Sequence, residues 1–181
     1  MVKKKINLKL ALLGDGAVGK TSLINRYIDE SFKDDYQPTL GVNIVMKKLK
    51  IEEFEIQLAI WDIAGQDKYD LTRKMFFEGC IACLLVFDIT RSSTFDRIQS
   101  KWLEDFKKFA RSDGIYIIIG KKSDLRNKDA VSTENGKILA DQIHASDYIE
   151  TSAKLGDNVE AAFKKLVVHA LKKFDIELKL N

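Results

Sequence analysis

The stretch GDGAVGKTS (residues 14–22) carries the densest chemistry in the chain: Gly14, Asp15, Gly16, Ala17, Val18, Gly19, Lys20, Thr21 and Ser22. It fits G-x-x-x-x-G-K-[ST], where glycines let a loop turn its backbone N–H groups inward onto phosphate oxygens. Lys20 would reach the β- and γ-phosphates of a nucleoside triphosphate, and Thr21 would offer its hydroxyl to Mg2+. An apolar strand pattern (6–13) precedes the loop and a helical one (19–29) follows it. The positive end of that helix would face the same anion. A chance glycine-rich turn would lack this frame. The motif alone specifies a nucleoside triphosphate or a similar phosphate.

Two other places hold residues of suitable type. WDIAGQ (61–66) puts Asp62 at the tip of an apolar run, where an acid suits Mg2+, directly or through water. Gly65 would give its N–H to a γ-phosphate and Gln66 would orient a water. The bland alternatives are a strand-end cap for Asp62 and a turn for Gly65. SFKDDYQPTLG (31–41) reads as an irregular exposed loop, and its Thr39 is a further hydroxyl for the ion. GKKSD (120–124) follows the apolar run 115–119 and ends in Asp124, either a turn residue or a reader of some ligand.

For these groups to converge, regular elements must carry them. Residues 42–51 and 54–62 read as a hairpin. In its second arm Phe54, Ile56, Leu58 and Ile60 alternate with Glu55, Gln57 and Ala59. The runs 81–88 and 115–119 are continuously apolar, as strands covered on both faces are. Helical patterns span 95–111, 133–144 and 159–174, the last with a core-facing apolar stripe. His144 and His169 fall in these helices as packing or surface residues. Alternating strands and helices imply a mostly parallel sheet with helices on both faces, which binds ligands beyond the strands' carboxyl ends.

Composition bounds the rest. The chain has 181 residues, 45% hydrophobic, without repeat or linker, which suits one domain (1–181) with a proper core. A net charge of +3 is too balanced for a nucleic-acid binder. Cys80 and Cys83 are too few for a disulfide framework and suit a reducing cytosol. Read as one buried strand, GCIACLLVFD would point them to opposite faces, against a redox or zinc role. MVKKKINLKLALLG imitates a signal peptide, but Lys9 interrupts a short apolar part and no cleavage site follows. A cytoplasmic location, at most peripheral to membranes, is expected.

Five ordered segments, GDGAVGKT, FKDDYQPT, DIAGQ, KSD and TSAK, make the sequence similar to the small GTPases of the Ras superfamily over nearly its whole length. The resemblance implies the P-loop NTPase fold, an α/β six-stranded sheet with one antiparallel edge strand. It implies a GTP-binding switch that hydrolyses GTP to GDP and phosphate with Mg2+; a GTP-loaded scaffold that hydrolyses little is the alternative. Gly14, Gly19 and Lys20 would hold phosphates, with Thr21, Thr39 and Asp62 for Mg2+. Gly16 would keep space beside the γ-phosphate. Phe32 would stack on guanine, in the segment that also supplies Tyr36. The segments around Thr39 and from Gly65 to about Phe77 match the two switch regions, which would meet effectors, exchange factors and GTPase-activating proteins. Asp124 matches the base-reading aspartate. A carboxylate accepts both adjacent N–H groups of guanine, whereas adenine offers no such pair. Leu125 follows it. From TSAK, Ser152 and Ala153 would line the base, Ala153 giving its N–H to O6. Lys122 and Lys154 would lay their stems along base and sugar.

Lys121 departs from the pattern, which has asparagine, sometimes threonine, before Lys-x-Asp. That residue normally ties the base-reading segment to the phosphate loop and touches the purine, but lysine has no acceptor. Guanine selectivity should survive through Asp124, with nucleotide held less tightly. A second departure is the ending ELKLN, which brings no cysteine for prenylation, while Val2 is not a myristoylation site; no lipid anchor is expected within this chain. No arginine is evidently placed to complete the site in cis; Arg73 reads as a surface residue. Intrinsic hydrolysis should therefore be slow and accelerated by a partner's arginine. A P-loop kinase or ATPase would leave TSAK and Asp124 unexplained. GDGAVGKT and DLR look Rho-like, PTLGVN and IQLAIWD Rab-like. With room for one ordinary helix between 125 and 149 and none for an extra one, a Rab-like or undifferentiated member is favoured.

Overall fold

The computed structural model describes residues 4–30, 38–65 and 75–176. Strand β1 (Lys4–Leu13) emerges from solvent and is buried from Leu10 onward. Its side chains divide by parity, Leu10 and Leu12 into one apolar cluster, Ala11 and Leu13 into another across the sheet. The intervening Lys9 bonds the Glu78 carbonyl (2.7 Å) and lies over the Trp61 ring at 3.7 Å. That contact keeps its charged end satisfied at the sheet surface.

Helix α1 (Lys20–Asp29) follows the glycine-rich loop, then β2 (Val42–Ile51) and β3 (Phe54–Ile63) form the expected antiparallel hairpin, in register from Val42–Ile63 to Ile51–Phe54. Strands β4 (Ala82–Asp88), β5 (Ile115–Lys121) and β6 (Tyr148–Thr151) complete a six-stranded sheet ordered β2-β3-β1-β4-β5-β6. All pairings except β2–β3 are parallel. The α/β fold and its antiparallel edge strand are thus as the sequence led us to expect. Every residue of β4 is buried. Ala82, Leu84 and Val86 face α1 and the last helix, α5 (Val159–Lys172), while Cys83, Leu85 and Phe87 face the other layer.

That other layer departs from the single helix read over 95–111. The chain folds as α2 (Ser92–Arg97), a stretch of wider π-helical turns (Ile98–Leu103) and α3 (Glu104–Phe109). Ile98, Trp102, Leu103 and Phe106 are all buried, and the wider π turns draw them onto a narrower stripe. Helix α4 (Thr133–Gln142) starts at Ser132, whose hydroxyl accepts from the Asn135 N–H (3.1 Å). It ends before His144, whose left-handed backbone (φ 57°) takes that residue out of the helix. His169 does lie on α5.

The cysteine reading is corrected. Cys80 precedes β4 in a turn, its N–H bonded to the Phe77 carbonyl, so the two-residue alternation does not apply to the pair. Cys80 and Cys83 pack in the same apolar cluster. Both thiols are buried and free, and burial pushes that of Cys80 up to about 12. Among the described residues no helix is long and apolar enough to cross a membrane.

Candidate nucleotide-binding site

The carboxyl ends of β1, β3, β4 and β5 converge on one edge of the sheet. Gly14, the residue after β1, has φ +152°, and a Cβ there would stand 2.1 Å from the Val86 carbonyl oxygen of β4. Only glycine fits, because neighbouring backbone occupies the side-chain volume. Gly65, just past β3, approaches the same loop, with its own Cβ position 2.3 Å from the Gly14 carbonyl oxygen. Val18 is buried, Asp15, Gly16, Gly19, Thr21 and Ser22 are partly so, and Ala17 is exposed in a left-handed conformation.

Lys20 begins α1 and folds back over the loop, its Nζ donating to the carbonyls of Gly14 (2.7 Å) and Asp15 (2.9 Å). Thr21 donates its hydroxyl to Asp62 Oδ2 (2.5 Å) and lies 3.1 Å from the Thr39 hydroxyl. Three residues distant in sequence thus bring oxygen atoms together beside the loop. Asp62 is 1% exposed, and burial pushes its carboxyl above the usual range against the pull of Thr21 and Lys20. Its other oxygen, Oδ1, is buried and finds no hydrogen-bond partner among the described residues. An unmatched buried carboxylate oxygen is costly, and a hard cation or its water shell would satisfy it. The donor set therefore fits Mg2+.

At the end of β5, Asp124 is exposed and accepts from the buried Ser152 hydroxyl (2.6 Å). That hydroxyl also accepts from the Leu155 N–H (3.1 Å), which fixes the 152–155 turn against the segment carrying Asp124. Ala153 is buried beside it; Leu125 and Lys154 are exposed. Phe32, Tyr36, Gln66 and Arg73 lie outside the described residues.

The Ras family's sequence model matches residues 9–172, which includes every segment just described. The chain belongs to the Ras family. It is a small GTPase, a GTP-binding switch that hydrolyses GTP, and its relatives make it Rab-like. It is 37% identical over 155 residues to Ras-related protein Rab-1 of Theileria parva, covering 86% of this chain and 70% of that protein. Ras-related protein Rab-10 of Caenorhabditis elegans is 36% identical over 165 residues (91% and 81%), and Ras-related protein Rab-2B of Dictyostelium discoideum is 36% identical over 167 (92% and 82%).

Several residues of this GTPase brace the site without having stood out in the sequence. Arg26 of α1 donates to the carbonyls of Ala153 and Lys154 (2.5 Å each), tying the helix after the phosphate loop to the TSAK turn. Trp102 Nε1 donates to Asp15 Oδ1 (2.7 Å), with Arg97 Nε at 3.3 Å, anchoring the loop to the π-helical layer. Asp88 at the end of β4 gathers Lys122 Nζ (2.6 Å), Arg91 Nε (3.2 Å) and the Thr90 hydroxyl (2.7 Å). Arg91 Nη2 also donates to the Gly16 carbonyl (3.0 Å), so an arginine does reach the phosphate loop in cis, already bonded to Asp88 and that carbonyl. Asp88 had a signal: like Asp62, it is an acid ending a buried strand. The others had none, because each acts across many residues of sequence.

Proposed function

We propose that this chain, as a single Rab-like G domain, uses the loop 14–22 and the ends of β3 and β5 to bind GTP and GDP with Mg2+. The reading is carried by the meeting of Thr21, Thr39 and the half-satisfied Asp62 carboxylate beside a loop whose lysine is already folded inward.

Each residue has a part that its chemistry supports. The loop N–H groups and the start of α1 attract phosphate, and Lys20 exchanges its two carbonyl contacts for phosphate oxygens. Thr21, Thr39 and Asp62 would hold Mg2+, which neutralises phosphate charge when bound. Gly65 is close enough to the loop for its N–H to serve a γ-phosphate, and Gln66 aligns the attacking water. Asp124, steadied by Ser152, accepts the two N–H groups on one edge of guanine, while Lys122 and Lys154 flank the base. Phosphoryl transfer needs positioning and charge neutralisation more than covalent chemistry. With Arg91 already bonded, hydrolysis is slow until a partner supplies an arginine.

Effectors, exchange factors and activating proteins would meet the segments around Thr39 and after Gly65. The Rab-named relatives support a role in vesicle traffic, from the cytoplasm and the membrane periphery. Mass spectrometry of the co-purifying nucleotide, followed by GTP and ATP titrations with phosphate release, tests this. Preference for adenine, or no binding of either, overturns it.

A further inference from the structure

Lys121 ends β5 and is 2% exposed, among the largest fully buried side chains of the molecule. It runs towards the phosphate loop. Its Cε lies 3.0 Å, and its Nζ 4.0 Å, from where a Cβ on Gly19 would stand. The tie between base-reading segment and loop thus survives as carbon packing. Yet the ammonium makes no hydrogen bond or ion pair among the described residues.

A buried cation with no acceptor is expensive, and the structure answers that cost with charge alone. Burial chiefly, together with Lys122 and Arg26, lowers the Lys121 ammonium to about 8, while Asp124 and Asp88 oppose that drop. The missing acceptor lies in the direction of the ligand. The side chain stands between the loop that takes the phosphates and the aspartate that takes the base. A guanine nucleotide spanning the two would carry the purine N7 and its α-phosphate oxygens past this point.

We infer that the Lys121 ammonium is itself a nucleotide-binding group, donating a charge-assisted hydrogen bond to purine N7 or to an α-phosphate oxygen of bound GDP and GTP. This rests on the guanine-nucleotide reading above. In the free protein the amine is half deprotonated at about pH 8, and a bound acceptor raises that value again. The contact therefore contributes fully well below pH 8 and fades as pH rises through the higher value of the bound state.

The test is GDP affinity, by equilibrium titration of the whole chain and of Lys121→Met, from about pH 7 to about pH 9.5. Lys121→Gln serves as a second variant should methionine misfold. Loss of one charge-assisted bond is expected to weaken GDP roughly tenfold near pH 7, and the ratio should approach one near pH 9.5. Guanine's own titration is common to both proteins and cancels in that ratio. Repeating the measurement with 7-deaza-GDP locates the acceptor: a vanished Lys121 effect places it at N7, a persistent one at the α-phosphate. Equal affinities near pH 7, or a ratio that does not move with pH, overturn the inference alone. Failure of the unaltered chain to bind GDP at any pH overturns the guanine reading as well.

Discussion

Asp124 and Ser152 meet across two loops, and the short bond between them leaves the carboxylate aimed but exposed. Replacing one of its oxygens with an amide tests what it reads. Asp124→Asn should bind xanthine nucleotides in place of guanine, because the 2-oxo group accepts from the new amide; competition titrations with XDP and GDP measure the exchange. The outcome that denies this assignment is an unchanged preference for GDP. At the other end of the ligand, Gln66→Leu should still bind GTP while losing roughly 100-fold or more in single-turnover hydrolysis, the scale of a lost positioning group. Undiminished hydrolysis would remove Gln66 from the mechanism. At this scale the sequence marked residues whose type and place after a strand jointly constrain their chemistry, and the structure gathers Lys20, Thr21 and Asp62 beside one loop. Arg26 was not readable, since its partners Ala153 and Lys154 lie on the far side of the chain's folding.

Among the elements, the strand ends do the positioning, and β4 shows how. Its terminal Asp88 binds Lys122 from the loop after β5 and Arg91 from its own following turn, joining the phosphate side of the site to the base side. Although burial opposes ionisation, Lys122 and Thr90 hold this carboxyl below the usual range. Its folded value being depressed, the stabilisation is present above the unfolded value of about 3.9 and is lost as pH falls through the folded one. Asp88→Asn should therefore cost about 1–2 kcal/mol near neutrality and progressively less in acid, as followed by denaturant unfolding at several pH values. A penalty that persists undiminished at low pH would mean that packing, not charge, holds the clamp. Elements were legible where period and length agree, as in the β2–β3 hairpin. They blurred where one helical stripe hid a change of pitch, and where β6 (Tyr148–Thr151) was too short to show any period.

For the whole molecule, two apolar layers grip one sheet while its carboxyl edge holds an inward-turned lysine and an incompletely bonded acid. A fold with such a rim is stabilised by what fills it. GDP with Mg2+ at about a hundred times its dissociation constant contributes about 2.7 kcal/mol, which raises the melting temperature by roughly 5–10 °C. ATP at the same concentration should leave the transition in place. Thermal scans with each nucleotide, before and after chelation, measure this, and an equal rise with ATP contradicts guanine selectivity. The architecture itself could be read from alternating strands and helices together with an edge hairpin. What could not be read is how the layers lock onto the loop, and here the widened turns at Ile98–Leu103 matter most. They hold one residue more than an ordinary helix of the same reach. Excising that surplus residue would restore the ordinary pitch and leave everything beyond it facing nearly as it does now. One wider turn thus absorbs a surplus residue without loss of register, and the same helical layer seals the core and holds the rim.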